Sequence, residues 1–103
     1  MEKNAKVVII GGGVVGCSIL YHLSKFGLKD CILLERNELT SGSSWHAAGN
    51  VHVISSDPNI SRMMAYTIGL YKEIEKESGH SVGFKPSGGF YLASNDVWAE
   101  YLK

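Results

Sequence analysis

A chain of 103 residues with 45% hydrophobic and 19% charged side chains has the composition of one small globular unit, not of a disordered segment. Ten basic residues balance ten acidic ones, which removes any net field drawing the chain to nucleic acid or an anionic membrane. The two cysteines, Cys17 and Cys31, are too few for a disulfide framework, and no Cys or His falls at zinc-ligand spacing. They read as reduced thiols suited to a cytoplasmic protein, and no metal site is expected.

Val7-Val8-Ile9-Ile10 is a short β-branched run ahead of glycines, the pattern of a parallel strand buried on both faces. Gly11, Gly12 and Gly13 end the run, leaving it too short for a secretory signal or for the roughly 20 apolar residues of a membrane span. From Val14 to Phe26 the period becomes helical, with Val15, Ile19 and Leu23 in one row and Gly16, Leu20 and Leu23 in the next. Ser18, His22 and Lys25 fall on the opposite, solvated face, and Gly27 supplies the stop. Cys31–Leu34 is a second buried strand ending at Glu35, so the alternation predicts a right-handed βαβ crossover in a parallel sheet.

Residues 37–56 are rich in Gly, Ser, Asn and His and read as a loop with one helical turn. Asp57-Pro58 is a strong helix start, and the helix is expected to run to Ser78, present Met64, Ile68, Tyr71 and Ile74 to a core, and end at Gly79. Within it, Lys72–Glu77 reads as a solvated face. Val82–Lys85 and Phe90–Ala93 read as two strands of a hairpin through Pro86–Gly89, and Asn95 or Asp96 as the cap of a last helix. Two parallel strands bury a sheet poorly, so the chain is expected to be the beginning of a larger protein.

The chemistry begins at Gly11-Gly12-Gly13-Val14-Val15-Gly16, a G-x-G-x-x-G pattern between strand and helix. Gly11 permits the turn, Gly13 admits a pyrophosphate, and Gly16 allows close helix–strand packing, while the N–H groups of Val14 and Val15 face the phosphates. Glu35, nineteen residues beyond Gly16, is placed to accept hydrogen bonds from ribose hydroxyls. The unit binds a dinucleotide, and on these residues alone FAD and NAD both fit.

The string Glu35-Arg36-Asn37-Glu38-Leu39-Thr40-Ser41-Gly42-Ser43-Ser44-Trp45-His46-Ala47-Ala48-Gly49 resembles the amino-acid-oxidase-like FAD family, in particular its dimethylglycine and sarcosine dehydrogenases. The resemblance covers the chain as the N-terminal segment of a longer family protein. It implies FAD as cofactor, with Arg36 at the adenosine end, Gly42, Ser43 and Ser44 along the pyrophosphate and ribityl path, and Ala47, Ala48 and Gly49 beside the isoalloxazine. Trp45 belongs to the same cofactor-binding string. His46 matches the histidine bonded to the 8α-methyl carbon of the flavin. The implied reaction is oxidation of an N-methylated amine by hydride transfer to flavin, with an electron acceptor downstream. The implied architecture is a Rossmann-like FAD/NAD(P)-binding α/β unit, residues 1–80, followed by the start of an antiparallel substrate-domain sheet, residues 81–103. An NAD-binding dehydrogenase segment and a non-catalytic nucleotide-binding fragment are the rival readings. No residue is assigned as catalytic base; His22, His80, Tyr66 and Tyr71 read as surface or packing residues, and His52 continues the flavin-side loop without being assigned to the ligand.

Overall fold

A computed structural model describes residues 4–103, in the order strand β1 (Val7–Ile10), helix α1 (Val14–Lys25), strand β2 (Cys31–Leu34), helix α2 (Pro58–Ser78) and helix α3 (Asp96–Tyr101). Residues 1–3 of the expected first domain lie outside the described residues. The chain divides into two compact units, one up to Asn50 and the other from Val51 to Lys103.

In the first unit β1 and β2 pair in parallel, Val7 opposite Cys31 through Ile10 opposite Leu34. α1 is the crossover between them. It closes at Phe26, and Gly27 follows with φ +86, the left-handed conformation expected of a helix stop. Burial is one-sided. Ile9 is only 7% exposed, whereas Ile10 on the alternate face is 86% exposed and Val8 is open as well. The expectation of strands buried on both faces is therefore corrected. α1 packs on one face of the sheet, and among the described residues no other element packs on the strands. The helix rows are also resolved: Gly16 is buried and Leu20 and Leu23 half-buried, while Val15 and Ile19 are exposed. A glycine lets the helix backbone approach Ile9, and that close approach selects the Gly16 row over the bulkier one. His22 is half-buried, with Nδ1 2.7 Å from the Ser18 carbonyl oxygen, instead of solvated.

In the second unit Asp57 caps α2, its Oδ1 accepting from the N–H groups of Asn59 (2.7 Å) and Ile60 (3.4 Å). Pro58 occupies the first turn, and Gly79 ends the helix with φ +69. Met64, Ile68, Tyr71 and Ile74 are half-buried as expected, but the most buried side chain of the helix is Leu70. Glu75, read as part of a solvated face, is half-buried and accepts from Ser81 Oγ (3.0 Å) and the Val82 N–H (2.9 Å).

Those bonds correct the expected hairpin. Val82–Lys85 and Phe90–Ala93 form no strands. The Val82 N–H is taken by a carboxylate, Gly83 and Gly88 sit at φ +73 and +75, and Phe90 and Leu92 are more than nine-tenths exposed. The left-handed Gly83 breaks the first extended run, while Gly88 lies in the expected turn, and no ladder forms. Asn95, not Asp96, caps α3, accepting from the Trp98 N–H at 3.0 Å.

Asp57→Ala is expected to destabilise the fold by about 1 kcal/mol, read as a lower midpoint in urea unfolding with an unchanged slope.

Candidate functional site

Gly11 leaves β1 with φ +103, a conformation that L side chains rarely adopt, and its N–H continues the ladder to the Leu34 carbonyl at 2.8 Å. Gly16 is confined differently: a Cβ there would run into the Gly11 carbonyl oxygen. The strand end and the first turn of α1 can lie this close only with glycine at position 16. Gly13 leaves space for a hydroxyl, since a Cβ on it would lie 3.1 Å from Ser44 Oγ.

Gly12, the unassigned position of the glycine pattern, is the residue the sequence reading missed. It is buried, and a Cβ on it would lie 2.5 Å from Leu39 Cδ2 and 3.0 Å from Glu35 Cβ. Its N–H donates to Glu35 Oε2 at 2.7 Å, and its carbonyl accepts from the Thr40 N–H at 2.9 Å. The only signal for this in the sequence is the unbroken run of three glycines.

Glu35 stands at the end of β2 and its carboxylate bridges two segments. Oε2 takes the Gly12 N–H, and Oε1 takes the Asn37 N–H at 2.9 Å. These bonds, the Gly12 one first, hold the carboxyl below its ordinary value of 4.5, with smaller help from Arg36. Each carboxylate oxygen keeps acceptor capacity beyond its one backbone bond. Arg36 is exposed beside it.

The loop after β2 folds back on the glycine turn. Thr40 adopts φ +65, and the Trp45 N–H donates to the carbonyls of Thr40 (3.0 Å) and Gly42 (3.2 Å), forming a compact turn. Ser44 Oγ accepts from the Val14 N–H at 2.8 Å, capping α1 from thirty residues away. His46 follows on the same turn, exposed, with Nδ1 3.0 Å from the Gly42 carbonyl oxygen. A carbonyl can only accept, so this contact needs the proton on Nδ1, and in the neutral imidazole that leaves the lone pair on Nε2. Ser43, Trp45, Ala47, Ala48 and Gly49 are exposed.

The structure thus brings Gly11–Gly16, Glu35 and Ser44 into one cluster, with His46 presented from the turn that Ser44 anchors. His52 and His80 belong to the second unit. No group of three or more His, Cys, Asp or Glu among the described residues could hold a metal ion. The cluster fits a dinucleotide. A backbone cradle of glycines sits at the positive end of a helix whose Val15 and Gly16 N–H groups lack intrahelical acceptors, and an ionised carboxylate stands beside it; the Val14 N–H, expected to face the phosphates, is instead taken by Ser44 Oγ.

Gly16→Ala is expected to cost about 2 kcal/mol through forced separation of α1 from β1, measured by thermal or urea unfolding. For Glu35 the folded value lies below the unfolded one, so its stabilisation is complete above pH 4.5 and is lost as pH falls through the lower folded value. The protection of the Gly12 and Asn37 amides, taken as exchange relative to the intrinsic rate at each pH, should therefore fall on acidification through the carboxylate range. Glu35→Gln should flatten that dependence.

Comparison with known proteins agrees with this cluster. A family model described as FAD dependent oxidoreductase matches residues 6–103. The chain is 46% identical over 102 residues to human mitochondrial dimethylglycine dehydrogenase, covering 99% of this chain and 12% of that protein. It is 41% identical over 96 residues to human mitochondrial sarcosine dehydrogenase, covering 92% of this chain and 10% of that one. It is 40% identical over 93 residues to the formaldehyde-forming 4-methylaminobutanoate oxidase of Paenarthrobacter nicotinovorans, covering 90% of this chain and 11% of the relative. The chain thus spans about an eighth or less of the length of these relatives. The glycine turn left FAD and NAD equally open, and the match decides for the flavin-dependent class: the chain belongs to the FAD dependent oxidoreductase family.

Proposed function

We propose that this chain is the FAD-binding N-terminal part of an oxidoreductase acting on N-methylated secondary or tertiary amines, with dimethylglycine or sarcosine as representative substrates. The observation that carries the reading is the bond from the Val14 N–H to Ser44 Oγ, which seats the Thr40–His46 turn against the dinucleotide cradle. The substrate class is drawn from the relatives, whose names specify dimethylglycine, sarcosine and a methylamino acid.

The glycine turn and the Val15 and Gly16 N–H groups of α1 would hold the pyrophosphate, with Ser43 and Ser44 beside it. Glu35 would hold the adenosine ribose through its remaining acceptor positions, near Arg36. Trp45, Ala47, Ala48 and Gly49 would lie on the flavin side. FAD, when bound, supplies the hydride acceptor for oxidation of the N-methyl carbon. His46 would attach the flavin covalently through its 8α carbon. The Gly42 carbonyl holds the proton on Nδ1 and so leaves Nε2 as the nucleophile. The residues that clamp substrate and remove protons would lie outside these 103 residues, as would the contacts to the electron acceptor. The thiols of Cys17 and Cys31 are free, and each lies against a backbone carbonyl, of Gly12 at 3.5 Å and Leu28 at 3.4 Å. A cytoplasmic location is proposed from the cysteine usage of the sequence alone.

The protein expressed from the complete reading frame should purify yellow and keep its colour after acid precipitation. His46→Ala should retain flavin natively and lose it in acid. Colourless native protein would refute FAD binding, and colour that washes out of the wild type would refute attachment. Turnover with sarcosine and dimethylglycine, compared with unmethylated glycine, tests the substrate class.

A further inference from the structure

We infer that Ser44 is a positioning residue for His46, holding the Thr40–His46 turn on helix α1 so that the imidazole is presented in one tautomer and one place. The inference deepens the attachment reading above and rests on it.

α1 begins without a cap of its own. Its N-cap residue is Gly13, which has no side chain to accept from the first N–H groups. Ser44 supplies the missing acceptor for Val14, and Gly13 leaves just the room that its hydroxyl fills. Ser44 is half-buried, whereas Ser43, Trp45 and His46 around it are exposed. Within that exposed turn, Ser44 is the side chain tied to the scaffold.

The turn has two anchors, the Ser44 hydroxyl at one end and the Thr40 N–H on the Gly12 carbonyl (2.9 Å) at the other. Between them, the Trp45 N–H closes onto the carbonyls of Thr40 and Gly42, and the same Gly42 carbonyl receives His46 Nδ1. The carbonyl that fixes the His46 tautomer therefore belongs to a turn pinned by Ser44. Loss of the hydroxyl leaves the Thr40 anchor alone, and the Gly42–His46 pair is free to reorient. Reactivity that depends on orientation falls steeply with such freedom.

Attachment makes one bond from Nε2 to the 8α carbon, removes one proton from that carbon and one from Nδ1, and passes two electrons through the flavin to dioxygen. The experiment uses the complete protein prepared free of flavin, mixed with FAD in air. Acid-stable flavin is followed over time at several FAD concentrations, and reversible binding is followed separately by fluorescence quenching. Ser44→Ala is expected to lower the limiting attachment rate, read at saturating FAD, about tenfold or more, over and above whatever reversible affinity it loses beside the pyrophosphate. Ser44→Thr, which keeps a hydroxyl, should recover most of the rate. Amide exchange over residues 40–47 should rise in Ser44→Ala.

An unchanged limiting rate in Ser44→Ala overturns the inference, as does a loss of FAD affinity with the limiting rate intact. Should that variant fail to fold, Ser44→Cys keeps the volume with a weaker acceptor: slower attachment supports the inference and an unaltered rate overturns it. If wild-type protein forms no acid-stable flavin, the attachment reading itself fails. The positioning claim then stands or falls on whether exchange over residues 40–47 rises in Ser44→Ala.

Discussion

The short bond from the Gly12 N–H to Glu35 Oε2 joins the first strand's exit to the second strand's end across twenty-three residues of chain. Around it the rest of the cluster is arranged. The same glycine's carbonyl receives Thr40, the same carboxylate receives Asn37, and Leu39 covers the place where a Cβ on Gly12 would stand. The constraint on Gly12 is one of space, since its φ does not lie in the left-handed region and a Cβ there would press on Leu39 Cδ2 and Glu35 Cβ. The carboxylate is favoured in its charged form by two backbone donors, so the clamp is strongest where the acid is ionised.

From this clamp the geometry of the helix N-terminus follows. With Gly11 and Gly16 in backbone contact, α1 starts directly above the strand end, and its first amides face the loop after β2. That loop answers with Ser44, which makes a helix cap out of a residue distant in sequence. A helix whose N-terminal donors point into a loop of small side chains suits a phosphate-bearing ligand, because the donors are backbone groups and need no cationic side chain. This accounts for a neutral chain with an anion-binding arrangement.

How much was legible depended on whether the signal was local. β1, α1, β2 and α2 were readable because β-branched runs, helical spacing, the Asp57-Pro58 start and the glycine stops all act within a few residues. The expected hairpin did not form because a short run of strand-favouring residues is also a local signal, and a strand exists only if another strand pairs with it. Glu75 took the Val82 donor and the left-handed Gly83 turned the first run away. Leu70 and the half-buried Glu75 were missed for a related reason, since which side of a helix is covered depends on what folds against it.

By itself the sequence determined the βαβ order, the glycine turn, the acid at position 35 and the string from Thr40 to Gly49 that carries the family resemblance. Each of these is a matter of residue type and spacing, and needs no distant contact. Only the tertiary structure decided that Gly12 is a steric keystone, that Ser44 caps α1, and that the Gly42 carbonyl sets the tautomer of His46. Those facts depend on groups far apart in the chain, or on backbone directions within a turn, meeting at hydrogen-bond distance. No periodicity or pairwise spacing encodes such meetings.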